Sequence, residues 1–385
     1  MKVNAFAASI RAARWACVAM TTLSFYNPAT IGPIYRTVLP VQKACARIKS
    51  GARGNDRMAK GSVLLADVNG RDLALAVVRP GDPPRDHKEL PCASLRELEQ
   101  HLTAALAGQG DLVGAAVCGA GPEIDGAIAL TAGDFVVTLS WLRAVLKTPR
   151  VALLNDFAAC ALGAPRLAPS AMTLIRDGKP AKSAQIAVIG PNLGLGVAAL
   201  APHRIDGWTP VVSEGGHIDF MPGEPREAAV FEAVQARRGR LSVEHFLSQA
   251  GLVDIHAALK QADGGDGEGD SDDLILSRAR DGDARAREAV SIFSALLGAF
   301  AGDAALMFAA RGGVYINSPL MERVDGLLDT EAFGRRFQDK GRMSGYLKDI
   351  PVYLTRGRCT LLGLSGLFTA SDMRYSADEV KFLDC

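Results

Sequence analysis

Val151-Ala152-Leu153-Leu154-Asn155-Asp156-Phe157-Ala158-Ala159 couples a short apolar run to an amide, a carboxylate and then a string of small residues. The run 151–154 reads as a buried strand, and Asn155-Asp156 stands where that strand gives way to a helix. Open α/β sheets place ligand-binding groups at the carboxyl ends of their strands, so this junction points both to an α/β fold and to a site. Asp156 is placed there to act as a base. Asn and Asp are also the commonest helix N-caps, and on the junction alone that plainer reading is preferred.

Upstream, residues 62–68 and 73–78 read as an antiparallel pair joined through Asp67-Val68-Asn69-Gly70-Arg71-Asp72, with Asn69-Gly70 as the hairpin signal. A helix over 94–107 opens on Ser94 with Glu97 three residues later, the capping-box spacing. A strand over 112–118, a glycine-rich stretch 119–133 with a short strand at 128–131, and a helix over 138–146 complete this half. Downstream, strands at 185–189 and 197–200 flank Gly190-Pro191-Asn192-Leu193-Gly194-Leu195-Gly196. Strand, glycine turn and strand suggest a phosphate hairpin, although the turn lacks the Lys-Ser/Thr ending of a P-loop and opens no helix. Helices follow over 227–238 and from Ser242 as cap, then an acidic stretch, 263–273, read as a solvated loop. Helical sequence at 283–308, a strand at 313–316 leading into Asn317-Ser318-Pro319, and a last helix at 361–370 end the chain.

A further turn, Ser213-Glu214-Gly215-Gly216-His217-Ile218-Asp219-Phe220, sets a carboxylate and an imidazole three apart. Its two glycines allow backbone angles closed to other residues, so Glu214 and His217 can both face a small polar ligand. A Glu-x-x-His pair is also half of a metal site, but no Cys-x-Cys or second His cluster follows to complete a shell. The bland alternative is a turn with a satisfied histidine. Glu244 has one too, as a first-turn acid stabilising a helix dipole.

The 385 residues are enough for two domains, and 48% hydrophobic with 22% charged residues is ordinary for a soluble globular chain. A net charge of +1 offers no electrostatic case for nucleic acid or membrane, which favours a small-molecule partner. The seven cysteines are scattered without metal spacing and suit reduced thiols in a cytosol. Residues 1–57 hold nine Lys and Arg against the single acid Asp56, a composition resembling a targeting peptide or a basic arm. An upstream start assignment is preferred, with the fold beginning near Met58.

Several segments now line up in one order: the 153–159 junction, the 213–220 turn, Arg240-Leu241-Ser242-Val243-Glu244, Gly251-Leu252-Val253, Arg311-Gly312-Gly313-Val314-Tyr315-Ile316 and Phe337-Gln338-Asp339-Lys340-Gly341-Arg342. That order resembles the bacterial ATP-dependent glucokinases of the hexokinase and actin-like ATPase superfamily, over nearly all of the chain from Met58. The resemblance implies a two-domain ribonuclease-H-like α/β fold with mixed sheets flanked by helices and a central cleft. Its small domain would span 58–164 plus a C-terminal helix at 358–385, and its large domain 165–357. It implies transfer of the γ-phosphoryl of ATP to O6 of D-glucose or a closely related hexose, with Mg²⁺ as cofactor. Asp156 would be the base, and Asn155, Glu214, His217 and Glu244 would bind the other hydroxyls. Two carboxylates, an amide and an imidazole supply the acceptors and donors that vicinal hydroxyls need. An ordinary ionised Asp suffices as base when the phosphoryl transition state is loose. The implied cofactor-binding positions are Asp67, as a Mg²⁺ ligand, with Gly70, Arg71, Gly190, Asn192, Gly194, Gly196, Gly312 and Gly313. A cytoplasmic homodimer is implied as well, and no Cys-rich zinc loop of the repressor-type sugar kinases follows His217.

The nucleotide side departs from the family pattern. Asp-x-Gly-Gly-Thr-Asn becomes Asp67-Val68-Asn69-Gly70-Arg71-Asp72, a Gly-Thr becomes Asn192-Leu193, and a small residue with two glycines becomes Asn317-Ser318-Pro319. Hydroxyl donors and a backbone N–H are lost with these changes. On the sugar side all five positions match, while a strand that usually reads Thr-Asn-x-x-Trp is Thr131-Ala132-Gly133-Asp134-Phe135. Two expectations follow: a hexose kinase, or a kinase-like sugar-binding protein that signals to a partner.

Overall fold

The computed structural model describes residues 61–148, 150–202 and 207–368, and the backbone of 383–384. The expectations for residues 1–57 and for the last helix beyond Phe368 lie outside the described residues. β1 (Ser62–Val68) and β2 (Asp72–Val78) form the hairpin in register from Val68↔Leu73 to Val63↔Val78, and β3 (Lys88–Pro91) extends it. α1 (Leu95–Leu106) is capped by Ser94, whose Oγ accepts from Glu97 N–H at 3.2 Å. The Glu97 carboxylate reaches back to Ala93 N–H at 2.8 Å, one residue earlier than a strict capping box. β4 (Leu112–Gly119) leads into a small sheet of β5 (Glu123–Ile124), β6 (Ala127–Ala129) and β7 (Val136–Thr138), then α2 (Leu139–Leu146), β8 (Arg150–Asn155) and α3 (Asp156–Gly163).

The second half runs β9 (Met172–Arg176), β10 (Ile186–Pro191), β11 (Leu195–Pro202), β12 (Trp208–Ser213), α4 (Pro225–Arg238), α5 (Gln249–Ala262), α6 (Asp272–Asp281) and α7 (Ala284–Met307). It continues with β13 (Val314–Asn317), α8 (Pro319–Val324), α9 (Thr330–Gln338), α10 (Ser344–Leu347), β14 (Val352–Thr355), α11 (Cys359–Gly366) and β15 (Leu383–Asp384). Two six-stranded mixed sheets result, ordered β15-β8-β4-β1-β2-β3 and β12-β11-β10-β13-β14-β9. Each has a parallel triplet, β1-β4-β8 or β10-β13-β14, with two antiparallel strands on one side and one on the other. The repeated strand order is the duplicated α/β architecture that the sequence implies.

Apolar faces divide the core into three parts. α1 and α2 cover one face of the first sheet through Leu98, Leu102 and Leu142. α3 and α11 share a core with residues of both sheets, among them Leu65, Leu154, Val188 and Leu200. Helices of the second half cover the other sheet around Phe246, Phe293 and Phe300. α3 and α11 cross at glycine: a Cβ on Gly163 would lie 2.0 Å from the Cys359 carbonyl oxygen, and one on Gly363 1.8 Å from that of Ala159. α7 is long and apolar enough to cross a membrane, but 78% of its most apolar window is buried, and it is a core helix here.

Three local expectations are corrected. Ser242 opens only a 3₁₀ turn, Val243–His245, and the α-helix starts afresh at Gln249 under Ser248, whose Oγ accepts from Gly251 N–H at 3.0 Å. The end of the acidic stretch is no solvated loop: Ser271 caps α6, and Asp272 and Asp273 both pair with Arg323. The last helix starts two residues early, at Cys359, and runs to Gly366.

Candidate active site

The carboxyl ends of β1, β4 and β8 lie side by side, with Asp67 paired to Cys118 and Cys118 to Leu154. Strands spaced by about 4.8 Å put Asp67 roughly 10 Å across the sheet from the end of β8. There Asn155 combines both readings of its pair. Its Oδ1 caps α3 by accepting from Phe157 N–H at 2.9 Å and Ala158 N–H at 3.1 Å. Its Nδ2 donates to the Gly121 carbonyl at 2.9 Å and to Asp156 Oδ1 at 3.0 Å. Asp156 Oδ1 also accepts from Phe157 N–H at 2.9 Å, so Oδ2 is the oxygen left for a substrate hydroxyl. Burial, then the charge of Asp67, raise the Asp156 pKa to about 8 against the backbone hydrogen bonds that lower it. Asp156 is therefore not the ordinary ionised carboxylate expected from sequence.

Glycines expected on phosphate do other work beside this base. Gly190 and Gly196 are opposite each other in the β10–β11 pair. A Cβ on Gly190 would lie 2.5 Å from the Phe157 ring, and one on Gly196 1.9 Å from it. The glycine hairpin thus forms a flat seat for the aromatic ring that follows Asp156. Gly194 stands against Glu244: a Cβ there would lie 2.5 Å from Glu244 Oε2, which accepts from Leu195 N–H at 2.9 Å. Gly194→Ala is expected to displace that carboxylate and raise the KM for hexose by about tenfold, with little change in Tm. Steady-state kinetics beside a melting curve checks this; an unchanged KM would refute it.

Glu214 and His217 are both exposed on a 3₁₀ turn, His217 Nε2 lying 3.9 Å from Glu214 Oε2. The turn is zipped to the Glu244 segment by a Val243 N–H to Ile218 carbonyl bond at 3.1 Å and an Asp219↔Ser242 bridge. Arg240 adds a bond to the His217 carbonyl at 3.0 Å and an ion pair with Asp219 at 2.6 Å. Glu214 contributes to the raised pKa of Asp156, which places the two carboxylates within electrostatic reach.

The nucleotide side is more closed than its sequence implies. Asn69 Oδ1 accepts from Arg71 N–H at 2.8 Å and Asp72 N–H at 2.7 Å, an Asx turn that consumes the hairpin's own donors. Gly70 is left-handed at φ +92°, and its Cβ would lie 2.6 Å from Gly133 N, so the hairpin rests on Ala132-Gly133. Asn192 ties its turn to α5, accepting from Gln249 Nε2 at 3.1 Å. The amide of Asn317 is spent on Thr355, and Ser318 Oγ donates to the Pro191 carbonyl at 2.5 Å. Gly312 and Gly313 precede β13, at the amino ends of the parallel strands and roughly 13 Å from their carboxyl ends. The expectation that they bind cofactor is corrected: Gly312 is required by close packing on the backbone of Ala184 and Gln185.

Asp67 holds a surprise that sequence reasoning missed. Thr360 Oγ1 donates to its Oδ2 at 2.6 Å, and Arg358 Nη1 stands 3.7 Å from the same oxygen. Burial raises the Asp67 pKa, while Thr360 and Arg358 pull it back. A divalent ion bound about 2 Å from Asp67 would lie roughly 6 Å from that guanidinium, a repulsion of about 5 kcal/mol at an effective dielectric near 20, before solvent screening. Asp67 as arranged does not fit a directly bound Mg²⁺. Among the described residues no cluster of three or more His, Cys, Asp or Glu is placed to hold a metal. The overlooked signal was position: Arg358 and Thr360 follow the last parallel strand, at the carboxyl end where sites gather.

A family model described as Glucokinase matches residues 64–371. A glucokinase-like protein of Caulobacter vibrioides is 77% identical over 320 residues, 83% of this chain and 100% of its own length. The glucokinase of Chromobacterium violaceum is 40% identical over 294 residues, 76% of this chain and 84% of its own. A solved glucokinase from an Antarctic psychrotroph is similar with a TM-score of 0.71 at 26% identity, across 80% of this chain and 98% of that one. Family model, relatives and fold all lead to one assignment: the chain belongs to the glucokinase family.

Proposed function

We propose that this chain is a cytoplasmic hexose kinase that transfers the terminal phosphoryl of ATP to O6 of glucose or a closely related hexose. The observation that carries the proposal is Asp156, fixed through Oδ1 by Asn155 and a backbone N–H so that Oδ2 can receive a hydroxyl proton. O6 attacks the terminal phosphorus, the bridging oxygen leaves with ADP, and the O6 proton passes to Asp156 late in the transfer. Glu214, His217 and Glu244 orient the ring through its remaining hydroxyls, while Asn155, whose amide is taken up by α3, the Gly121 carbonyl and Asp156, holds the base in place. Any Mg²⁺ would arrive on the donor's phosphates, with Asp67 Oδ2 held by Thr360. Residues 58–164 with 358–385, and residues 165–357, would act as two domains closing on the sugar and excluding water.

A second reading has its own support. The Asn69 turn, the Asn192 tie to α5 and the engaged amide of Asn317 leave few donors for a nucleotide, as a sugar-binding regulator would tolerate. A coupled assay for hexose 6-phosphate with ATP separates the two, run on the full chain and its Asp156→Ala variant with glucose binding measured in parallel. Turnover that disappears in the variant is the expected result. Intact glucose binding without turnover in the native chain would establish the regulator instead.

A further inference from the structure

We infer that Arg358 is the protein's own cation for the donor phosphates: its guanidinium, parked between Asp67 and Glu89, turns onto the terminal phosphoryl groups when a nucleoside triphosphate binds. The inference rests on the kinase reading above. It starts from placement. Arg358 sits between β14 and α11, directly after Gly357 at φ +85°, at the carboxyl end of a parallel strand. Its Nη1 faces Asp67, while Nε and Nη2 make a two-point contact with Glu89 at 2.9 and 2.5 Å. A planar fork with delocalised charge matches a phosphate as well as it matches a carboxylate.

The parked state is easily left. Glu89 lies on the edge strand β3 with its side chain 48% exposed, and it is also contacted by His87 Nε2 at 3.0 Å. Exposed ion pairs of this kind contribute little to stability, so a triphosphate carrying several negative charges competes for the guanidinium on favourable terms. Asp67 supplies the need as well as the position. Phosphates entering here approach the carboxylates of Asp67 and Asp156, the first of which raises the proton affinity of the second, and meet a hairpin whose Arg71 and Asp72 N–H groups are already taken by Asn69. Without a positive group at this point the pocket repels its donor. Thr360, two residues on, completes the device by holding Asp67 Oδ2 while the arginine moves.

The test is calorimetric titration of the full chain, saturated with glucose, with the non-hydrolysable ATP analogue AMPPNP, once with Mg²⁺ and once with EDTA. Four proteins are compared: native, Arg358→Gln, Arg358→Lys and Glu89→Gln. The native chain is expected to bind in EDTA within about threefold of its Mg²⁺ affinity, and Arg358→Gln to lose at least tenfold in EDTA, with Arg358→Lys between them. Glu89→Gln, which frees the fork, is expected to tighten binding several-fold, an effect that a merely structural arginine would not give. Equal affinity of the native and Arg358→Gln chains would overturn the inference and leave the kinase reading standing. Absence of AMPPNP binding by the native chain, with glucose bound, would overturn both.

Discussion

Replacing Asp156 with Asn is expected to lower kcat for hexose phosphorylation by about 10³-fold, the span of a positioned general base, and to raise Tm at the same time. Both effects come from the same burial. The native kcat/KM should climb with pH and level off above about 8, where Asp156 gives up its proton. In the unfolded chain this carboxyl titrates near 3.8, and in the folded chain near 8. Between those values the folded chain holds a proton that the unfolded chain has released. The stability this provides is complete below pH 3.8 and lost as pH rises to about 8. Asn cannot ionise, so the margin of Asp156→Asn over the native chain should widen from pH 5 to pH 8, by up to about 4 kcal/mol, and then stay level. Melting curves at four pH values and a pH–rate profile provide the check. A flat kcat/KM between pH 6 and 9 would remove Asp156 as the base.

How much of this could be read beforehand depended on how local the cause was. The Asn69-Gly70 hairpin, the Ser94 cap and the strand-to-helix junction at Asn155 are set by neighbouring residues, and the structure has them where the sequence puts them. What escaped depends on distant partners. Gly190 and Gly196 looked like phosphate glycines because nothing local says that the Phe157 ring will lie on them. The helix expected from Ser242 stops because its turn is bound to the Ile218 carbonyl, and Gly251 then packs 2.3 Å, measured from its would-be Cβ, against the Phe246 carbonyl. Arg358 meets Glu89 across 269 residues of sequence, and only the folded chain shows that the loop after β14 returns to β3. The raised pKa of Asp156 is of the same kind, since it needs both the burial of the strand ends and the charge of Asp67. The residues proposed to hold the sugar were named through motif resemblance, and their mutual geometry was not legible.

Arg336→Ala is expected to cost about 3–5 kcal/mol of stability. Arg336 and Glu227 are 8% and 2% exposed in their side chains and pair through two parallel bonds, Nε to Oε1 and Nη2 to Oε2, each at 3.0 Å. Glu227 Oε2 also accepts from Gly223 N–H at 2.6 Å and Glu224 N–H at 3.3 Å, so one carboxylate pins the start of α4 and, through the arginine, joins it to α9. Removing the guanidinium leaves a buried carboxylate with backbone donors alone, and it empties the volume over Gly223, whose would-be Cβ lies 2.2 Å from Arg336 Nη2. Replacing both partners together, as Arg336→Met with Glu227→Leu, removes the uncompensated charge and should restore most of the loss. Urea unfolding of the three proteins measures both steps; a single variant within 1 kcal/mol of the native chain, on the scale of an exposed pair, would show that the pair is not buried in solution. Arg336 makes no hydrogen bond to Asp156, Glu214, His217 or Glu244, so kcat of the folded Arg336→Ala fraction should remain native. That split between lost stability and retained kcat is the reverse of the Asp156→Asn result, and it separates the residues that hold this fold from those that use it.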